Sequence, residues 1–225
     1  MTIVSSNDVW AVGSASGNAL VEHWDGRSWS IVSNTVIAGA GALSAVSADS
    51  ANDVWAVGES GNGGPPILHF DGTNWSLVAS HPDIEATSVT ALSPTNVWAV
   101  GTVGVFANHK THRQPAIEHW DGMSWSIVPS PNPNKVPTDD SFLNGIEAIS
   151  ANDIWAVGQL NASSSSPATL TEHWDGTNWK IINSPNPGNF SNGLSGVTAL
   201  SDGTVTAVGF EQGQGFDKIP LILEN

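Results

Sequence analysis

Short apolar and polar runs alternate along most of the chain, and one such run keeps returning. Asn152–Ile182 displays it best: NDIWAVG, a stretch of variable length, then TEHWDGTNWKII. The same unit stands at Asn7–Val32, Asn52–Val78 and Asn96–Val128. A weaker fifth copy begins at Thr204 (TVTAVG) and reaches PLILEN. Period-two alternation, abundant Val, Ile, Trp and Thr, and punctuation by Asn, Gly, Asp and Pro predict strands and argue against helices.

Each copy reads as four short strands, A to D. Strand A is predicted at Thr2–Ser5, Leu43–Ser47, Val89–Ser93, Ile146–Ser150 and Val197–Ser201. Strand B is the VWAVG segment, strand C ends in HWDG, and strand D opens at the next Trp. The Asp-Gly pair between C and D is a hairpin signal, because glycine reaches positive φ without a Cβ penalty. The markers Trp10, Trp55, Trp98, Trp155 and Thr206 recur with a period of roughly 50 residues, which fits four-stranded propeller blades. The predicted fold is therefore all-β: a β-propeller of about five four-stranded blades, the last one incomplete. It forms a single domain with repeat units at about 1–33, 43–79, 88–129, 145–183 and 196–225.

Spacing separates two kinds of connection. His23–Trp29, His69–Trp75, His119–Trp125 and His173–Trp179 keep one interval, so the C–D hairpin has constant length. The A–B turn is short as well, and Ala48-Asp49-Ser50 reads as a three-residue insertion in the second copy. The B–C and D–A connections vary in length. In an up-and-down sheet the constant turns share one end and the variable loops the other, which is the usual layout of a binding surface on a rigid scaffold. Pro in SPNP (Ser130–Pro133 and Ser184–Pro187) stiffens two of the D–A crossovers. The glycines of GNGG (Gly61–Gly64) read as hairpin turn residues. Leu221–Leu223 would lie on an unpaired apolar edge, and such edges are normally covered. The expected cover is another chain, as in a homo-oligomer, a segment outside this sequence, or the first blade.

Composition narrows the function classes. The 225 residues carry 6 Lys and Arg against 21 Asp and Glu, for a net charge of −15. Nucleic-acid binding needs basic patches that displace counterions, so that class is set aside. No apolar run approaches the ~20 residues of a membrane helix, so membrane insertion is not expected. The opening MTIVSSNDVW shows no signal peptide. Absence of cysteine removes disulfides and thiolate chemistry. Few Lys, many Ser, Thr, Asn and Gly, and 11 Trp suit an extracellular or cell-surface location.

Candidate site residues fall into two sets. His23, His69, His119 and His173, one per blade, stand too far apart around a ring to share a metal ion. They predict a hydrogen bond inside each blade that locks the C–D hairpin. Asp25, Asp71, Asp121 and Asp175 read as turn formers, and Trp10, Trp55, Trp98 and Trp155 as packing between blades. The second set lies in variable loops: His109, His112 and Arg113 in the third B–C loop, Asp139 and Asp140 in the third D–A loop, Asp83 and Glu85 in the second. No cofactor, metal site, catalytic triad order or phosphate loop is expected.

At WAVG and HWDGTNW the sequence resembles the Trp-rich propeller repeats of bacterial surface proteins, which are similar to Kelch, tectonin and Asp-box repeats. HWDGTNW is close to the Asp-box pattern S-x-D-x-G-x-T-W, although here Asp and Gly are adjacent. Five units also resemble five-bladed tachylectin and tectonin-type lectins. The expected function is a non-enzymatic binding module that recognises a glycan or protein through the variable loops. Two alternatives stay open on sequence alone: a carbohydrate-active hydrolase or lyase using the loop acids, and a structural or self-assembling repeat module of a surface protein.

Overall fold

A computed structural model describes residues 1–59, 65–131, 139–162, 164–200, 202–213 and 217–224. The predicted turn at Gly61–Gly64, Asn132 and Pro133 of the first SPNP, and Ser201 lie outside those residues. The strands form five antiparallel sheets, four of four strands and the last of three, each in simple sequence order. The first holds β1 (Thr2–Ser5), β2 (Asp8–Ala15), β3 (Asn18–Trp24) and β4 (Trp29–Ile31). The second holds β5 (Leu43–Ser50), β6 (Asp53–Gly58), β7 (Ile67–Phe70) and β8 (Trp75–Leu77). The third holds β9 (Ile84–Ser93), β10 (Asn96–Ala107), β11 (Lys110–Trp120) and β12 (Trp125–Ile127). The fourth holds β13 (Phe142–Ser150), β14 (Asp153–Leu160), β15 (Ala168–Trp174) and β16 (Trp179–Ile181). The fifth holds β17 (Ser191–Ala199), β18 (Val205–Gln212) and β19 (Lys218–Glu224). This is the all-β blade set that the period predicts.

By internal contacts the chain divides into two compact units, Met1–Ala99 with Glu118–Ile127, and Val100–Ile117 with Val128–Asn225. In the first unit the core runs through the Trp markers. Trp10 packs with Val46, Val54, Ala56, Leu68 and Trp75. Trp55 packs with Val89, Val97 and Ala99, and with Trp120 and Trp125. In the second unit Val157, Leu194, Ala207 and Leu221 form a smaller buried cluster. No helix among the described residues is long and apolar enough to cross a membrane.

Three details depart from the sequence expectation. The first is Ala48-Asp49-Ser50, which is no insertion. β5 runs unbroken to Ser50 and pairs Ala48 with Val54 and Ser50 with Asp53. Ala148 pairs with Ile154 and Ser150 with Asp153 in the same way, with the same irregularity between the two pairs. The second copy therefore keeps the common register, and β5 begins at the predicted Leu43 but runs three residues beyond the predicted end at Ser47. The second departure is a helix, α1 (Thr35–Gly39), inside a D–A connection expected to be loop. Asn34 is its N-cap, accepting from the Val36 N–H at 2.7 Å, and Ile37 anchors it in the core. The third concerns the fifth blade. Leu221 is buried and Leu223 half-buried, and only Ile222 faces solvent, because side chains alternate along a strand.

Candidate functional site

The Asp-Gly hairpins are built identically. In each, the Asp carboxylate accepts two backbone N–H groups, from the second and third residues after it. For Asp25 these are Arg27 at 2.8 Å and Ser28 at 2.9 Å. Asp71, Asp121 and Asp175 repeat the pair. The accepted hydrogen bonds hold the Asp25, Asp71 and Asp121 carboxyls below the usual carboxylate range. At Asp175 the Lys180 ammonium, which also bonds it, is the largest cause. The glycines that follow sit at φ of 89 to 95°. A Cβ on Gly26, Gly72 or Gly176 would strike the Asn7, Asn52 or Asn152 side chain, and one on Gly122 would strike Thr95. Within each of these sheets the A–B and C–D turns therefore lie together.

The repeated histidines do stay inside their own sheets, but they do not lock the C–D hairpin. His23, His69 and His173 place Nε2 2.9, 2.6 and 2.8 Å from Asp8, Asp53 and Asp153 Oδ1, and His119 places it 2.9 Å from Asn96 Oδ1. The acceptor heads strand B, so the bond clamps C to B. The marker Trp stacks on the same ring, with centroids 4.1 to 4.3 Å apart. Trp55, Trp98 and Trp155 also donate Nε1–H to Asp53, Asn96 and Asp153. The acceptor escaped the sequence reading although it recurs two residues before every marker Trp. With an amide as its partner, the His119 ring is lowered by burial, which Asp121 only partly opposes.

A second omission is the Glu before that His. Glu118 and Glu172 are fully buried. Glu118 accepts the His81 N–H at 3.0 Å, and Glu172 accepts the Ser130 hydroxyl at 2.9 Å. Burial pushes both carboxyls up, Glu172 to about 7. Each acid takes a donor from the loop that leaves the preceding sheet, so the D–A loops are pinned from below.

The loop candidates separate by unit. Asp83 and Glu85 belong to the first. Asp83 is exposed, with its N–H 3.4 Å from His81 Nδ1, and Glu85 is half-buried on β9. His109, His112, Arg113, Asp139 and Asp140 belong to the second unit. Four of these five converge. Asp140 Oδ1 accepts the Arg113 N–H at 3.0 Å and lies 3.7 Å from His112 Nδ1. Buried Gln114 donates to the Asp139 carbonyl at 3.0 Å and to the Arg113 carbonyl at 2.8 Å. The Ser141 N–H returns to the Arg113 carbonyl at 2.9 Å, and the Asn161 N–H reaches Ser141 Oγ at 3.0 Å. Two B–C loops and one D–A loop are thereby cross-linked at their bases. Above that base the β10–β11 hairpin is exposed from Gly104 to Arg113, apart from half-buried Ala107 and His112. Asn108 and His109 form its tip at positive φ. Phe106 is 74% exposed, and Lys110 and Arg113 share the arm. Phe106 went unnoticed in the sequence because one aromatic in an alternating run looks like core.

Chemically, Asp139 and Asp140 serve as anchors for backbone and hairpin. No group of three or more His, Cys, Asp or Glu that could hold a metal ion occurs among the described residues.

No protein-family model and no curated protein sequence matches the chain. Solved structures do. YCF48 bound to D1 peptide superposes with a TM-score of 0.58 at 16% identity, over 92% of this chain, which spans 58% of that protein. The SapL1 lectin in complex with alpha methyl fucoside superposes with a TM-score of 0.62 at 14% identity, over 99% of this chain and 78% of the lectin. At these identities the likeness concerns fold: the chain is a β-propeller repeat protein.

Proposed function

We propose that the protein is a non-enzymatic binding module whose ligand, an acidic glycan or an acidic protein segment, engages the β10–β11 hairpin. One observation carries this reading. In a chain of net charge −15, two of the 6 cationic side chains, Lys110 and Arg113, stand on one exposed arm beside Phe106. The arm's base is fixed by Asp140, Gln114 and Ser141. A rigid base lowers the ordering entropy lost on binding. Exposed cations next to an aromatic face suit a ligand that offers carboxylates and an apolar or sugar-ring surface. The fucoside held by one structural neighbour and the peptide held by the other lend support to a glycan or protein ligand in general. Two of the four loop acids of the alternative hydrolase reading are engaged elsewhere: Asp140 Oδ1 holds the Arg113 N–H, and Asp139 Oδ1 takes the Asp140 N–H at 2.9 Å.

The test is a glycan array that includes uronate and sialylated sugars, run with a panel of acidic peptides and followed by calorimetry. The double variant Lys110→Ser/Arg113→Ser should weaken the best ligand by at least ~10-fold, and Phe106→Ser by a similar factor. Raised salt should weaken binding too, and the melting temperature should not move. A ligand whose affinity ignores all three changes would place recognition elsewhere.

A further inference from the structure

Four of the five residues from His109 to Arg113 can carry positive charge: His109, Lys110, His112 and Arg113. The chain has 7 histidines, and His23, His69, His119 and His173 are the strand clamps. Two of the other three stand on this arm. His109 is the second residue of a two-residue hairpin loop, at φ of 64° after Asn108 at 51°. Such a loop favours glycine there, because left-handed backbone penalises a Cβ. The chain keeps an imidazole in that place instead, and it is exposed. His112 lies at the foot of the arm with its side chain only 14% exposed, and its Nδ1 is 3.7 Å from Asp140 Oδ1. That distance is too long for a hydrogen bond from a neutral ring, yet short enough for an ion pair with a protonated one. Few other ionisable groups meet His112 among the described residues. β10 has none along its length, and neither has the 161–167 segment beside Ser141. The D–A segment brings Asp140 and Asp139, and Asp139 Oδ1 is taken by the Asp140 N–H. On β11 itself the charged neighbours are Lys110 and Arg113.

We propose that the arm binds anions under proton control: protonation of His109 and His112 on acidification strengthens its hold on a row of carboxylates. This rests on the reading of the arm as the binding site. Imidazole is the side chain whose ordinary change of charge falls between pH 5 and 8. Protonation acts in two ways. It takes the segment from two cations, Lys110 and Arg113, to four. It also sets the His112 imidazolium against the Asp140 carboxylate, which already holds the Arg113 N–H at 3.0 Å. A charge-assisted contact then ties the arm to its base, in addition to the main-chain bonds. The stiffer the base, the less ordering entropy a ligand costs on binding. The net charge of −15 repels an anion from the molecule as a whole, so the local number of cations decides whether one is held.

The probes are hexagalacturonate and, separately, a blocked octaglutamate peptide, each titrated by calorimetry into the full chain at pH 5.5 and at pH 7.5. The pair tells a glycan source of carboxylates from a protein one. Both probes lose a little charge at the lower pH, so a gain there comes from the protein. At least one probe should bind at least ~5-fold more tightly at pH 5.5. The double variant His109→Asn/His112→Gln should cut that gain to about 2-fold or less, the remainder belonging to the other histidines. Asn tolerates left-handed backbone, and neither amide takes a proton. Should the variant misfold, binding to the unaltered chain is repeated at pH 6.5 in two buffers of different ionisation enthalpy. Net proton uptake is expected, because linkage is reciprocal. Equal affinity at the two pH values, binding without proton uptake, or a full gain in the double variant overturns the proposal. If Lys110→Ser/Arg113→Ser still weakens that binding, the arm survives as the site. Binding indifferent to Lys110→Ser/Arg113→Ser, or no binding of either probe at pH 5.5, overturns the site reading and the proposal with it.

Discussion

Glu172 shows how a single side chain carries consequences beyond its hairpin. It is buried among strands with one hydroxyl partner, and its carboxyl is pushed up from 4.5 to about 7. A folded value above the unfolded one means that its contribution is fully present below about pH 4.5 and is lost as pH rises through 7. Glu172→Gln keeps an acceptor for Ser130 and removes the charge. It should raise unfolding free energy by roughly 2–3 kcal/mol at pH 8 and leave it unchanged at pH 4, in denaturant titrations at both values. Equal effects at the two pH values would mean that the acid is neutral throughout. The turn aspartates have the opposite sign. Their folded values are depressed, so their support is present above the unfolded carboxylate range and fades as pH falls through the folded values. The marker tryptophans differ by environment as well. Trp55→Ala empties a closed core and should cost about 3–5 kcal/mol. Trp155→Ala starts beside an existing cavity and should cost clearly less, as compared by chemical denaturation of both variants.

Among the elements, the C–D hairpin is the most strongly determined. Its Asp satisfies two backbone donors, and its Gly must be left-handed and close to the A–B turn. Gly176→Ala puts a Cβ at φ of 89° and 2.6 Å from Asn152 Oδ1. Gly203 has the same φ of 89° but open space around it. Both substitutions should therefore lose about 1–2 kcal/mol from backbone strain, and Gly176→Ala should lose more through the clash. Thermal melts of the pair separate the two effects. Hairpins of this kind were legible in the sequence because the Asp-Gly pair and the constant His-to-Trp interval are local signals. The helix α1 was not. Five residues are too few to show a helical period, and Asn34 looks the same as an N-cap or as a turn residue. The end of the second-copy strand A was not legible, because residue type alone does not show that Ala48 faces Val54 and Ser50 faces Asp53; the ladder register does.

At the level of the whole molecule, five sheets share one repeat but not one set of seams. Two seams of the first unit are sealed by aromatic pairs, whereas the second unit holds an open cavity and a smaller buried cluster. Cooperative protection should follow this difference. Amide exchange in β19, an edge strand over an unfilled cavity, should run at least ~10-fold faster than in β7, a buried inner strand. Mass-spectrometric exchange on peptides covering the two strands measures it, and equal rates would contradict the distinction. Net charge of −15 acts at the same scale, keeping copies apart and confining any attraction for an anionic ligand to the few basic groups.

The sequence alone determined the number of sheets, the order of their strands, the turn residues and the positions of the marker tryptophans. These are written in period-two alternation and in short fixed spacings, which each segment expresses by itself. Tertiary structure decided which partner each side chain met: that the histidines clamp strand C to strand B, that Asp140 holds a hairpin base, that Glu118 and Glu172 are buried, and that the pocket beside Trp155 is open. Such facts depend on residues far apart in the chain arriving at one place. A loop carboxylate reads the same in sequence whether it faces water or caps a distant N–H, and only the folded chain distinguishes the two.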